Sequence, residues 1–241
     1  MKAIIVMTVV LAFPLMLCAG ESPVPKIVVK NVRGDVQVRR GVAESWIKVV
    51  DGDVLRPDDT FRTGVQGSAL LVTSAGAGDK KTLTIPGEVI VDMSDVRDLS
   101  QEELILKLTM EKVRSSSYEW KNNEMNIPNT TVVHGTNQGG GTTREVSDEA
   151  GKFQMNGARV LFSHGFFPTC ALRAMDVLRR YPELAMDYEN RILLADALDR
   201  ASLHGEALNE YVALSQGLPL TSAQSSYVQQ KINALRKVSD R

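Results

Sequence analysis

The chain is 241 residues long, enough for one large or two small domains, and 43% of its residues are apolar, which suffices to bury real cores. Its 28 Lys and Arg balance 29 Asp and Glu, for a formal net charge of -1. That balance supplies no electrostatic footprint for nucleic acid or for an acidic lipid surface, so neither is expected as a partner.

Residues 1–20 carry one cation, Lys2, then an apolar run from Ala3 to Leu17 broken only by Thr8 and Pro14, then Cys18-Ala19-Gly20. A short apolar core that ends in small residues predicts a secretory signal peptide rather than a spanning helix. Cys18 opens a second reading, a lipidated cysteine, which is the one route by which the chain would be held at a membrane. Leu17 directly before it is bulky for that processing. Either way the expected location is the periplasm or cell envelope. Cleavage at Gly20 leaves Cys170 alone, so no intramolecular disulfide is expected.

From Gly34 to Thr73 the apolar period is two. Val36 and Val38 alternate with Gln37 and Arg39, Ile47 and Val49 flank Lys48, and Ala69, Leu71 and Thr73 alternate with Leu70 and Val72. These are half-buried strands. Gly41, Asp51-Gly52 and Thr63-Gly64 fall between them, where the chain must reverse. Short strands at this spacing predict a small sandwich or barrel. The aspartates Asp51, Asp53, Asp58 and Asp59 lack the frame and the terminal glutamate of a calcium loop and are expected to build turns.

The order of Gly34-Asp-Val, Trp46, Gly52-Asp-Val-Leu55, Asp58-Asp59-Thr60-Phe61-Arg62-Thr63-Gly64 and Ser68-Ala-Leu-Leu71 resembles the periplasmic β domain of the FecR family. Thr82 to Met93 resembles that family's next hairpin, and Ile127 to Thr136 its late strand, with His134 where Arg is usual. The likeness covers residues 27 to 136. It implies a small β domain, here given the bounds 21–136, and an envelope function. FecR-family members are known as transmembrane regulators of sigma factors. Only Met1 and Lys2 precede the apolar run, so direct control of that kind is not expected.

Ser100 followed by Glu103 is a capping box, and Leu104 and Leu108 with Ile105 and Met110 give an apolar helical stripe, predicting one helix of about three turns over 100–115. The FecR-like pattern runs on in strands here, so the helix is a departure from it. Residues 137–148 are rich in Gly and Thr and read as a linker.

Beyond the linker the period changes to 3.6 and an internal repeat emerges. Counted from Gly151, Ala158, Cys170 and Pro182 fall at places eight, twenty and thirty-two, and counted from Tyr188 so do Ala195, Ala207 and Pro219. Small residues at those places let paired helices approach, and the proline ends the second helix of each pair. The two units resemble TPR repeats, with some three extra residues around 183–187 between them. Residues 222–238 then read as one helix, with Val228, Ile232 and Leu235 on the face that covers the stack. The expected fold class is thus β plus α: a small sandwich- or barrel-like FecR-type domain with one helix, then an all-α, TPR-like array of helical hairpins over 149–241.

The resemblance to TPR stacks implies a groove lined by the first helix of each pair. Its places here are Lys152, Met155, Arg159 and Phe162, then Glu189, Ile192, Asp196, Asp199 and Arg200, which would hold a peptide by charged clamps and an apolar anchor. Trp46, Tyr118 and Trp120 are candidates for a carbohydrate or peptide surface, with a buried core tryptophan the plainer expectation. His134, His164 and His204 are far apart and show no metal spacing. No nucleophile elbow, metalloprotease helix or phosphate loop stands out, and Cys170 reads as packing. The expected function is therefore non-catalytic, with no cofactor: binding or scaffolding of an envelope protein or peptide, with peptidoglycan a further candidate. A signal-sensing protein related to FecR, or a hydrolase acting on cell wall, are the alternatives.

Overall fold

The computed structural model describes residues 26–75, 79–120 and 142–239. The expected signal peptide of residues 1–20, with Cys18, and the expected strand of Ile127 to Thr136, with His134, lie outside them, as do the side chains of Tyr118 and Trp120. The fold is mixed β and α.

The strands are β1 (Lys26–Arg33), β2 (Val36–Arg39), β3 (Ile47–Lys48), β4 (Val54–Leu55), β5 (Thr60–Thr63), β6 (Ser68–Ala75), β7 (Asp79–Ile85) and β8 (Val89–Asp92). They form two four-stranded antiparallel sheets, ordered β4-β1-β6-β7 and β3-β2-β5-β8. Neither sheet closes on itself. Each turns one face inward, with Ile27, Val29, Leu71, Leu83 and Ile85 from the first and Val36, Val38, Phe61, Val89 and Val91 from the second in one core. The alternation read at Val36, Val38, Ala69, Leu71 and Thr73 holds, whereas Ile47 is half exposed at the end of its sheet.

Thr82 to Met93 does not form a hairpin. Its two strands belong to different sheets, β7 pairing with β6 and β8 with β5. Pro86, Gly87 and Glu88 carry the chain across, because both sheets need an edge strand at this end. The crossings converge at one corner. The Gly64 N–H donates to the Asp35 carbonyl at 2.9 Å, and the Glu88 N–H to the Gly64 carbonyl at 3.1 Å. Gly34, at φ +64°, lies so close to the Gln66 carbonyl oxygen that a Cβ would stand 2.3 Å from it. That contact is a physical reason for the glycine of the Gly34-Asp-Val stretch.

The aspartates do build turns. Asp51 accepts from the Val32 N–H, Asp53 from the Val50 N–H at 2.9 Å and Asp59 from the Arg56 N–H at 2.7 Å.

The helices are α1 (Gln101–Trp120), α2 (Thr142–Ser163), α3 (Phe167–Arg180), α4 (Tyr188–Arg200), α5 (His204–Gly217) and α6 (Ser222–Ser239). The Ser100 hydroxyl caps α1 by accepting from the Glu103 N–H at 3.2 Å. This helix is longer than expected. Its buried stripe is Leu104, Leu108 and Glu111; Ile105 and Met110 are each 50% exposed and do not belong to it. The expected linker is also shorter than read, since α2 already begins at Thr142, leaving 137–141 outside the described residues. From α2 onward each helix packs on the next. Ala158, Cys170, Ala195 and Ala207 are fully buried, and Val228, Ile232 and Leu235 of α6 are buried with them in the core. The extra residues after α3 form a 3-10 turn, Pro182–Met186.

The helical half sits directly on the sheets. α2 lies along β8 at the sheet edge, and Gly157 permits it, since a Cβ there would stand 2.1 Å from the Ile90 carbonyl oxygen. The Thr84 N–H donates to His164 Nε2 at 3.2 Å, and Asn156 Nδ2 donates to the Glu88 carbonyl at 2.9 Å. Arg173 of α3 forms ion pairs with Asp92 and Asp95. Among the described residues no helix is long and apolar enough to cross a membrane.

Candidate binding site

On α2, Lys152, Asn156 and Arg159 follow one another at helical spacing and so share a face. That face meets the start of α4 and the β7–β8 crossing, enclosing a recess of about 260 Å³ lined by Glu88, Lys152, Phe153, Met155, Asn156, Arg159, Leu184, Asp187 and Asn190. Local chemistry fixes each wall. Asp187 caps α4 by accepting from the Glu189 N–H at 2.8 Å, which holds the first turn of α4 and with it Asn190. Glu88 takes φ +59° in the crossing and presents its carbonyl to Asn156.

Arg159 occupies the centre. Its Nη1 donates to Asn156 Oδ1 at 3.0 Å and its Nη2 to Asn190 Oδ1 at 2.6 Å. Each amide is itself anchored, Asn156 on the Glu88 carbonyl and the buried Asn190 on the Leu184 carbonyl at 2.9 Å. The guanidinium is therefore oriented from two sides by neutral groups. Among the described residues it forms no ion pair with a carboxylate, and neither does Lys152 at the rim. A cation held in this way keeps its full charge and its remaining donors for an incoming anion.

Of the other expected groove residues, Met155 alone also lines this recess. Met155 (1% exposed) and Ile192 (8%) are core residues, so neither is an exposed apolar anchor. Phe162 is half buried and packs edge-on against Phe167, with ring centroids 5.2 Å apart. Arg200 is exposed, its guanidinium 4.6 Å above the Phe167 ring. Glu189 is exposed at the start of α4.

Asp196 and Asp199 are covered by α6. Asp196 accepts from the hydroxyls of Tyr211 and Tyr227, and Asp199 pairs with Lys231 at 2.8 Å and lies 3.3 Å from His204. Burial, and then the Asp196 carboxylate, push both tyrosine pKa values well above the ordinary value. These groups hold α4, α5 and α6 together. Burial likewise raises the Cys170 thiol far above its usual range, consistent with a packing role.

Asn156, Asn190 and Glu88 are the residues that the sequence does not single out. The available signal is slight: Asn156 stands four places after Lys152 on the face that carries Arg159, yet asparagine in a helix reads as a weak propensity and nothing more.

Trp46 is not a core residue. It is partly buried on the outer face of the second sheet, with the Arg62 guanidinium 4.4 Å and the Arg39 guanidinium 5.3 Å from its ring centroid. Among the described residues no three His, Cys, Asp or Glu side chains gather as a metal site.

No protein-family model, curated protein or solved structure matches the chain.

Proposed function

We propose that the chain is a non-catalytic, exported cell-envelope protein that binds and scaffolds other envelope components, its helical half docking a partner protein through the Arg159 recess. In this reading the two sheets are a small FecR-type sandwich and the helices a TPR-like array. The observation that carries it is the guanidinium of Arg159, braced by two anchored asparagines and facing a recess with no carboxylate paired to it.

A recess of about 260 Å³ is below the range of small-molecule sites, roughly 300–1,000 Å³, and suits a single acidic side chain or a chain terminus. An incoming carboxylate would gain charge-assisted hydrogen bonds from Arg159, with Lys152 adding a second cation at the rim. Glu88 and Asp187 on the opposite walls disfavour a ligand that is anionic throughout. A peptide with one acidic group among neutral ones fits that balance.

The test is capture from solubilised envelopes with the wild-type chain and with Arg159→Gln, followed by mass spectrometry. A set of proteins retained by the wild type and lost with the variant is the expected result, the two baits melting alike. Retention of the same proteins by both baits would overturn the assignment.

A further inference from the structure

The outer face of the second sheet carries a second arrangement, made of other residues and independent of the Arg159 recess. Cross-strand register places Arg39 opposite Thr60 and Gln37 opposite both Arg62 and Lys48. Trp46, two places before Lys48, falls on the same face, and both guanidinium groups lie against its ring. The ring quadrupole is what holds two like charges side by side.

Their hydrogen bonding is incomplete. Arg62 donates to Gln37 Oε1 at 2.5 Å, a neutral acceptor. Arg39 makes one long contact, 3.4 Å to Thr60 Oγ1, and its buried Nε has no partner. Among the described residues neither arginine forms an ion pair, and nor does Lys48, which is exposed.

Next to these cations the sheet ends. β3 is the terminal strand of the order β3-β2-β5-β8. The Val49 N–H donates inward to the Val36 carbonyl at 3.0 Å, so the alternation of an antiparallel ladder turns the Lys48 N–H and C=O outward to the open edge. Ile47 on the inner side of that edge is 51% exposed, although its partner Val38 is buried. Among the described residues, an open edge, an uncovered aliphatic side chain on one side and three cations without an ion-pair partner on the other are complementary to one kind of occupant.

We propose that the β3 edge binds an extended acidic peptide of a partner protein by strand addition. Its backbone would pair with Lys48. Its carboxylates would lie over Arg39, Arg62 and Lys48, and its alternate aliphatic side chains would cover Ile47. Charge complementarity selects an acidic segment, and the unsatisfied backbone edge selects a peptide over other polyanions.

The chain with Trp120→Phe leaves Trp46 as its one indole, so its fluorescence reports on this face directly. The probes are a capped seven-residue peptide of alternating Glu and Val, the same peptide with Lys for Glu, the acidic peptide with N-methylated amides, and an oligogalacturonate. Saturable binding of the first alone, weakened by added salt, is expected. Arg39→Gln with Arg62→Gln should weaken it at least tenfold. Lys48→Glu, at an exposed side chain with no packing role, should do the same without altering the fold, which the far-ultraviolet circular dichroism of each variant would monitor. Equal binding of the lysine or N-methylated peptide, equal binding of the oligogalacturonate, or no saturable change would each overturn the proposal.

Discussion

Gly157 joins the two halves of the molecule by having no side chain. A Cβ there would stand 2.1 Å from the Ile90 carbonyl oxygen, a backbone atom that cannot swing aside. Gly157→Ala should therefore lift α2 from β8 and cost about 2 kcal/mol, the overpacking penalty exceeding the gain of roughly 1 kcal/mol in helix propensity. Gly205, which has nothing within 4 Å, is the control. Its change to Ala should be neutral or stabilising by up to about 1 kcal/mol. Urea denaturation of both variants measures the pair, and a Gly157→Ala chain as stable as the wild type would mean that α2 does not lie on β8. Neither role was legible from the residues. A glycine inside a helical period reads as a small cost, and what stands opposite it is set by a strand some 67 positions earlier. The same applies to Arg159, visible as one groove cation, whose two asparagine braces come from different helices and are anchored in turn on a crossing and a 3-10 turn.

At the scale of elements, the joint between α3 and the second sheet rests on one arginine and two carboxylates. Burial opposes ionisation of Asp92, but the Arg173 cation and the Thr60 hydroxyl outweigh it and hold the pKa below its ordinary value of 3.8. For Asp95 burial prevails over the same arginine, and the pKa is raised. The two therefore act oppositely with pH. Asp92 contributes stability above about pH 4 that fades as the pH falls through its lowered value, whereas Asp95 contributes in acid and loses its contribution as the pH rises through its raised one. Arg173→Met removes the cation from both. Its cost should be about 2 kcal/mol at pH 7, less than the roughly 3–5 kcal/mol of fully buried pairs because the carboxylates keep part of their water. That cost should shrink as the pH falls below 3.8 and through the lowered pKa of Asp92, where the carboxylates take up protons; a deficit that stays constant over that fall, read by urea denaturation, would contradict the pairing. The elements themselves were mostly legible. Period-two runs gave the inward faces of β2 and β6, and the Ser100–Glu103 box marked the start of α1. Apolar stripe and length in α1 were misjudged because Ile105 and Met110 fit the helical period as well as Leu104 and Leu108 do, and only the position of α3 decides which side is buried. The supposed hairpin of Thr82 to Met93 failed for a related reason: Pro86-Gly87 permits a tight reversal or a crossing, and pairing with β5 and β6, remote in sequence, selects the crossing.

In the whole molecule the sheets and helices share one core rather than meeting across a tether. Residues from Ile27 to Leu235 belong to one buried cluster, and contacts of α2 with β8, Arg173 with Asp92, and Arg179 with Glu111 cross between the halves. Heat unfolding followed by calorimetry should accordingly give one transition with equal calorimetric and van't Hoff enthalpies, and two resolved transitions would show that the halves unfold independently. Composition and period announced both halves but not this joint, because an edge strand and a helix that cover one another carry no common sequence signal. The joint is also what builds the recess: Glu88 comes from the sheets, Arg159 and Asn156 from α2, and Asn190 from α4. The most direct measurement is binding to a pentapeptide array printed in two forms, with acidic residues and free C-termini, or with their amides. Arg39 and Arg62 would both be replaced by Gln, so that the recess alone is read. Preference for the acidic form by at least tenfold, about 1.4 kcal/mol, and its loss on further replacement of Arg159 by Gln, is the predicted result. Equal binding to both forms, or a preference that survives without Arg159, would contradict the assignment of this recess as the docking site.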